Sequence, residues 1–183
     1  MEVQSQLQLF THTEGIPMSP TIKRYHPGKC IAQVRVVRES NVERSVCCTP
    51  ADADTIWREA IATRPEHDPE KEHFVVLHLD TRRKIKSWDE ITVGILDESL
   101  VHPREVFRSA IVAASAAIVV MHNHPSGDPT PSAEDIQVTR KLVEAGKIVN
   151  IQVLDSMIVG EQSDDRDTPF FSLREAGLVN FEK

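Results

Sequence analysis

The feature that most constrains this chain is an apolar run that stops on two histidines. Residues Ala116 to Met121 are all Ala, Ile, Val or Met, and His122-Asn123-His124 follows at once. A loop, Pro125-Ser126-Gly127-Asp128-Pro129-Thr130-Pro131, then leads into Ser132-Ala133-Glu134-Asp135 and a helical pattern through Ala145. The order is strand end, loop, helix start. Side chains alternate along a strand, so His122 and His124 are expected on one face and can share a metal ion. Asp135 falls in the first turn of the next helix, where exposed amides and the helix dipole favour a carboxylate. If the loop folds back, two imidazoles, one carboxylate and an open fourth position make a catalytic rather than a structural zinc site. A plainer account also fits: Ser132 to Asp135 is close to a capping box, with Ser at the N-cap and an acid at N3. The two accounts are compatible, because a capping serine fixes the turn that aims the aspartate.

The rest of the chain supplies a setting for that segment. Phe74 to Leu79 is a near-continuous apolar run of strand length, which suits a central strand buried on both faces. Ile85 to Gly94, after a short polar turn, is expected to pair with it antiparallel. Imperfect alternation places a break near Trp88. Thr49-Pro50 predicts a helix to about Thr63, with Ile56, Trp57, Ala60 and Ile61 as its apolar stripe. Pro103 opens another helix, with Val106, Phe107, Ala110, Ile111 and Ala114 along one face. Gly146 is expected to end the helix that Ser132 starts, and one more strand lies within Ile148 to Val159. Phe170 to Glu175 reads as a short closing element. These elements predict an α/β fold: a mixed β-sheet with helices on both faces, that is, a three-layer sandwich. Residues 1–48 read as an extension or arm, with a strand at Ile31 to Val37, and residues 49–183 as the main domain.

Composition narrows the function. A formal net charge of −7 argues against a protein whose main partner is the nucleic-acid backbone. The cluster Arg82 to Lys86 reads as solvated turn charges rather than a phosphate site. No apolar run approaches a membrane span, and the first residues lack a secretory signal. Cys30, Cys47 and Cys48 make an odd set, which suits a reduced, cytoplasmic setting; without a C-x-x-C pair, Cys47 and Cys48 read as two ordinary buried thiols. The letters His-Asn-His resemble a nuclease motif, but the residues that motif spreads over a long ββα unit are missing. The H-x-E and P-C-x-x-C signature of zinc deaminases is missing too.

The spacing His122-x-His124, seven residues, Ser132, two residues, Asp135 resembles the JAMM motif of JAB/MPN-type metalloproteases. The wording HNHPSGDPTPS is similar to the bacterial RadC branch of that family. So are Val101 to Phe107 (VHPREVF) and Val153 to Gly160 (VLDSMIVG). The resemblance spans roughly Glu72 to Leu178. It implies a sandwich fold related to the zinc deaminases, Zn2+ held by His122, His124 and Asp135, and hydrolysis of a peptide or isopeptide amide. It also implies that Ser132 steadies the oxyanion, and that a glutamate just ahead of the first core strand moves protons. Glu72 occupies that place. Glu105 competes with it, although a helix-start acid is already explained by the dipole. Asn123 and Asp128 are candidates to orient the ligands. Two departures stand out. The RadC pattern usually has a histidine where this chain has Ser156, and no helix-hairpin-helix region is legible in residues 1–48. A protein or peptide substrate is therefore expected. An inactive MPN-type scaffold or a DNA-repair accessory remain the alternatives.

Overall fold

The computed structural model describes residues 45–94, 101–163 and 166–182, together with the backbone of two short strands nearer the N-terminus. Those strands, β1 (Lys23–His26) and β2 (Lys29–Gln33), pair antiparallel. They belong to a compact unit, Met1–Val42, separate from the unit Glu43–Lys183. The expected strand at Ile31 to Val37 overlaps β2, and its residues beyond Gln33 lie outside the described residues.

The larger unit is an α/β sandwich. Its elements run α1 (Pro50–Ile56), β3 (Glu72–Leu79), β4 (Ile85–Gly94), α2 (Pro103–Val112), β5 (Ala117–Asn123), α3 (Ala133–Val149), β6 (Gln152–Val159) and β7 (Phe170–Ser172). The sheet order is β4-β3-β5-β6-β7. β5 and β6 are parallel, joined by α3, and every other neighbouring pair is antiparallel. The sheet is thus mixed, as the element order predicts.

Alternation along the central strands feeds two cores. Phe74, Val76, Ile118, Val120 and Ile158 pack with Val106, Phe107 and Ala110 of α2 and Val138, Leu142 and Val143 of α3. Val75, Leu77, Leu79, Val119, Met121 and Met157 pack on the opposite face with Ala53, Trp57 and Ile61. Burying the Phe74, Leu77, Ile118 and Leu142 side chains alone is worth about 1.5–3 kcal/mol each relative to exposure. Among the described residues, no helix is long and apolar enough to cross a membrane.

Several sequence expectations shift in detail. The first helix starts as predicted, with Thr49 and Asp52 forming a complete capping box. It then widens into a π-turn, Trp57–Ile61. Its buried stripe is Ala53, Trp57 and Ile61, while Ala60 is exposed. Ile111 is 60% exposed, so the α2 stripe is narrower than its spacing predicts. The irregularities in β4 fall on either side of Trp88, which itself pairs regularly with Leu77. Gly146 does not end α3. The helix continues to Val149 and closes on Asn150 in the left-handed conformation. Gly146 instead permits close packing, since a Cβ there would lie 2.6 Å from the Ile151 carbonyl and 3.2 Å from Phe107 Cζ. Cys47 is buried and Cys48 exposed, so only one of this pair is a buried thiol. Burial, aided by the negative charge of Asp52, pushes the Cys47 thiol up to about 12. The turn cluster is partly structural: Lys86 Nζ donates to the Ala113 and Ala114 carbonyls at the C-terminal end of α2.

Candidate metal centre

The site lies at the carboxyl end of β5, where α3 begins. β5 continues past Met121 through His122 and Asn123. His122 therefore follows Ile118 and Val120 onto the face covered by α2 and α3. His124 has just left the strand, held by its N–H to the Val159 carbonyl (3.2 Å). The intervening loop is pinned by several bonds. Gly127 N–H donates to the His124 carbonyl (2.9 Å), and Glu161 N–H donates to the Gly127 carbonyl (2.9 Å). Gly127 adopts a φ of +73°, in the left-handed region that favours glycine. Gly160 lets the loop lie against the end of β6: a Cβ there would sit 2.4 Å from the Gly127 carbonyl and 2.6 Å from Pro129 Cδ.

Ser132 is the N-cap of α3, and its capping-box partner at N3 is Asp135 itself. Asp135 N–H donates to Ser132 Oγ (3.1 Å). Ser132 N–H and Oγ–H both donate to Asp135 Oδ2, each at 2.7 Å. The cap therefore holds Oδ2, while Oδ1 faces His122. Glu134 next to it is exposed.

The three expected ligands converge. His122 Nε2 lies 3.1 Å from Asp135 Oδ1, and His124 Nε2 lies 3.5 Å from Asp135 Oδ2. The two Nε2 atoms are 3.2 Å apart. One donor atom from each residue falls within 4.8 Å of the others, so the trio could hold a metal ion. Two facing imidazole nitrogens can share one proton between them at most, and lone pairs that converge beside a buried carboxylate suit a cation better. His124 Nδ1 donates to the Asp128 carbonyl (2.7 Å), which leaves its Nε2 lone pair for a ligand. Among the described residues, the buried His122 Nδ1 has no hydrogen-bond partner. The His122 ring lies nearly parallel to Phe74, with centroids 6.2 Å apart. The donor set therefore fits a divalent metal ion.

The electrostatics follow from this packing. Burial alone would raise the Asp135 carboxyl, but hydrogen bonds from His122 and His124, donated when their Nε2 atoms carry a proton, outweigh it and hold the group far below the usual range. The bond to Asp135 raises His124 against the opposing effect of burial, and the charges of Asp135 and Glu72 add to it.

Glu72 is the first residue of β3, two before Phe74, which pairs with His122. Strand alternation gives Glu72 the same face as Phe74, and its charge reaches His124. Glu105, its competitor in the sequence, is exposed on α2 and paired with Arg108 (2.7 Å). Asp128 orients His124 through its backbone carbonyl rather than its side chain. Among the described residues, the Asn123 side chain makes no hydrogen bond to either histidine ligand. Its amide instead binds β3, through His73 N–H and the Lys71 carbonyl. Ser156 accepts a hydrogen bond from Thr139 (2.9 Å), tying β6 to α3. Sequence reasoning missed Gly160; its only signal was a glycine directly after a strand.

Comparison with known proteins agrees with this geometry. Residues 48–178 match the RadC-like JAB domain family. The chain is 43% identical over 136 residues to a UPF0758 protein of Syntrophomonas wolfei, covering 74% of this chain and 55% of that one. It is 42% identical over 132 residues to one of Methanosarcina acetivorans, covering 72% and 53%. A third, from Desulforamulus reducens, is 36% identical over 182 residues, covering 94% and 78%. The chain thus spans about half the length of the first two relatives. With its matched residues running from Cys48 to Leu178, the chain belongs to the RadC-like JAB domain family.

Proposed function

We propose that this protein is a zinc-dependent hydrolase that cleaves a peptide or isopeptide amide bond in a protein or peptide substrate. The observation that carries the reading is the convergence of His122, His124 and Asp135 on one point. These three residues would hold the ion. When bound, zinc supplies Lewis acidity, lowering the pKa of water and polarising a carbonyl. The depressed Asp135 stays anionic, and the Asp128 carbonyl keeps the His124 proton on Nδ1. Glu72 acts as general base: its carboxylate accepts the proton of the attacking water and returns it to the leaving nitrogen. Ser132 donates to the oxyanion, a contribution of about 2.7–4 kcal/mol when such a donor is lost. Its hydroxyl proton points at Asp135 Oδ2 in this structure, so donation requires the hydroxyl to turn.

The test is direct. Purified protein is assayed for bound zinc, then screened against peptides and isopeptide-linked substrates with zinc and with chelator. Chelator-sensitive cleavage is expected, together with its loss in Glu72→Gln while zinc is retained. Stoichiometric zinc with no cleavage, or no zinc at all, would favour a non-catalytic MPN-type scaffold. Salt-sensitive DNA binding would favour the repair-accessory alternative.

A further inference from the structure

We propose that Asn123 is a positioning residue for Glu72: its carboxamide clamps the backbone on both sides of that glutamate and fixes it relative to the two histidines. The inference rests on the general-base role proposed for Glu72.

The backbone ladder between β3 and β5 ends at the pair Phe74–His122. One step further, Asn123 replaces a ladder rung with its side chain. Oδ1 accepts from His73 N–H (2.8 Å), and Nδ2 donates to the Lys71 carbonyl (3.0 Å). Those two backbone groups flank Glu72. A carboxamide has the donor and acceptor of a peptide unit, so it extends the pairing where the strand itself turns away to place His124. Asn123 is 8% exposed, so water is a poor substitute for either bond. Having a partner of each kind also fixes which way the amide faces.

The far side of the clamp is anchored as well. The His73 ring points to the opposite face of the sheet from Glu72. Its Nδ1 meets Glu90 Oε1 (2.6 Å) and its Nε2 meets the Asp68 carbonyl (2.9 Å). The start of β3 is thus held from both faces, with Glu72 between the anchors. No other common side chain does the same work at this position. Asp lacks the donor, Ser cannot reach both groups, and Gln adds a methylene to a buried site. A single residue between the two histidine ligands therefore couples the ligand-bearing strand to the glutamate.

The experiment uses the full chain loaded with Co2+, whose absorption bands report the ligand field, titrated with pH. Four forms are compared: wild type, Glu72→Gln, Asn123→Ala and the double variant. Removing the Glu72 charge is expected to lower the midpoint of the cobalt transition. Asn123→Ala is expected to lower it by at least half as much, and the double variant to match Glu72→Gln alone. Zinc affinity in Asn123→Ala, by chelator competition, stays within about tenfold of wild type, because the Asn123 amide is bonded to the β3 backbone rather than to a ligand side chain.

A wild-type midpoint in Asn123→Ala, or a double variant displaced well beyond Glu72→Gln, overturns the proposal even if thermal stability falls. An unmoved midpoint in Glu72→Gln overturns the general-base role, a different failure. Should Asn123→Ala not fold, Asn123→Ser is read the same way. If neither folds, the clamp is a folding element and the proposal is overturned.

Discussion

His122 Nε2 stands 3.1 Å from Asp135 Oδ1, although one residue is next to last in a strand and the other lies in the first turn of a helix. An ion bound there ties the two elements together and stabilises the folded state by mass action. At a thousandfold excess over its dissociation constant the gain is about 4 kcal/mol. Zinc is therefore expected to raise the melting temperature of the wild type but not of His122→Ala or Asp135→Ala. Differential scanning calorimetry with zinc and with chelator measures this. An equal zinc-dependent rise in all three proteins would place the ion elsewhere.

Ser132 serves the helix before it serves any chemistry. Loss of its cap in Ser132→Ala is expected to cost about 1 kcal/mol of stability without metal. It also removes a donor from Asp135 Oδ2. Ser132→Thr keeps the cap and should retain most of the stability. Urea denaturation of the chelated proteins gives both values, and indistinguishable midpoints for Ser132→Ala and wild type would contradict the capping geometry.

Gly160 contacts no ligand, yet it supports the ligand loop. A methyl group there collides with the Gly127 carbonyl and with Pro129. Either shift displaces the neighbouring Asp128 carbonyl, which orients His124. Gly160→Ala is expected to weaken zinc binding by about 10–100-fold, the range for losing a ligand's hydrogen-bond partner. Chelator competition provides the measurement, and unchanged affinity would mean that the loop can relax without moving His124.

Stability should depend on pH through Glu90. Burial would raise its carboxyl, but the hydrogen bonds from Arg64 and His73 prevail and hold it below its ordinary value of about 4.5. A group depressed in the folded state adds stability above its unfolded pKa, and that stability is lost as pH falls through the folded value. The gap in melting temperature between wild type and Glu90→Gln is expected to be full at neutral pH. It should close as the pH drops below about 4.5. A gap that persists unchanged at pH 3 would show that the carboxylate charge does not matter.

Much of this protein was readable before any coordinates. Period and punctuation placed β3, α2, β5 and α3, because an apolar run of strand length and a capped amphipathic stretch leave few other conformations. The histidine pair, the capping serine and the aspartate were legible for the same reason. Each is set by local geometry within a few residues, and the cap that starts α3 is also what holds the Asp135 carboxylate.

What the sequence could not contain was the effect of packing between distant segments. Gly146 reads as a helix stop, but it is a contact point with Phe107 and β6, so the helix runs on. Ile111 reads as core by spacing, yet among the described residues it is left 60% exposed on α2. Asn123 reads as a spacer between two ligands until β3 is laid beside β5, when its amide meets the backbone around Glu72. Propensity and periodicity are sums over neighbours in the chain. Register, close approach and the pairing of buried polar groups are settled only when strands far apart in sequence lie side by side.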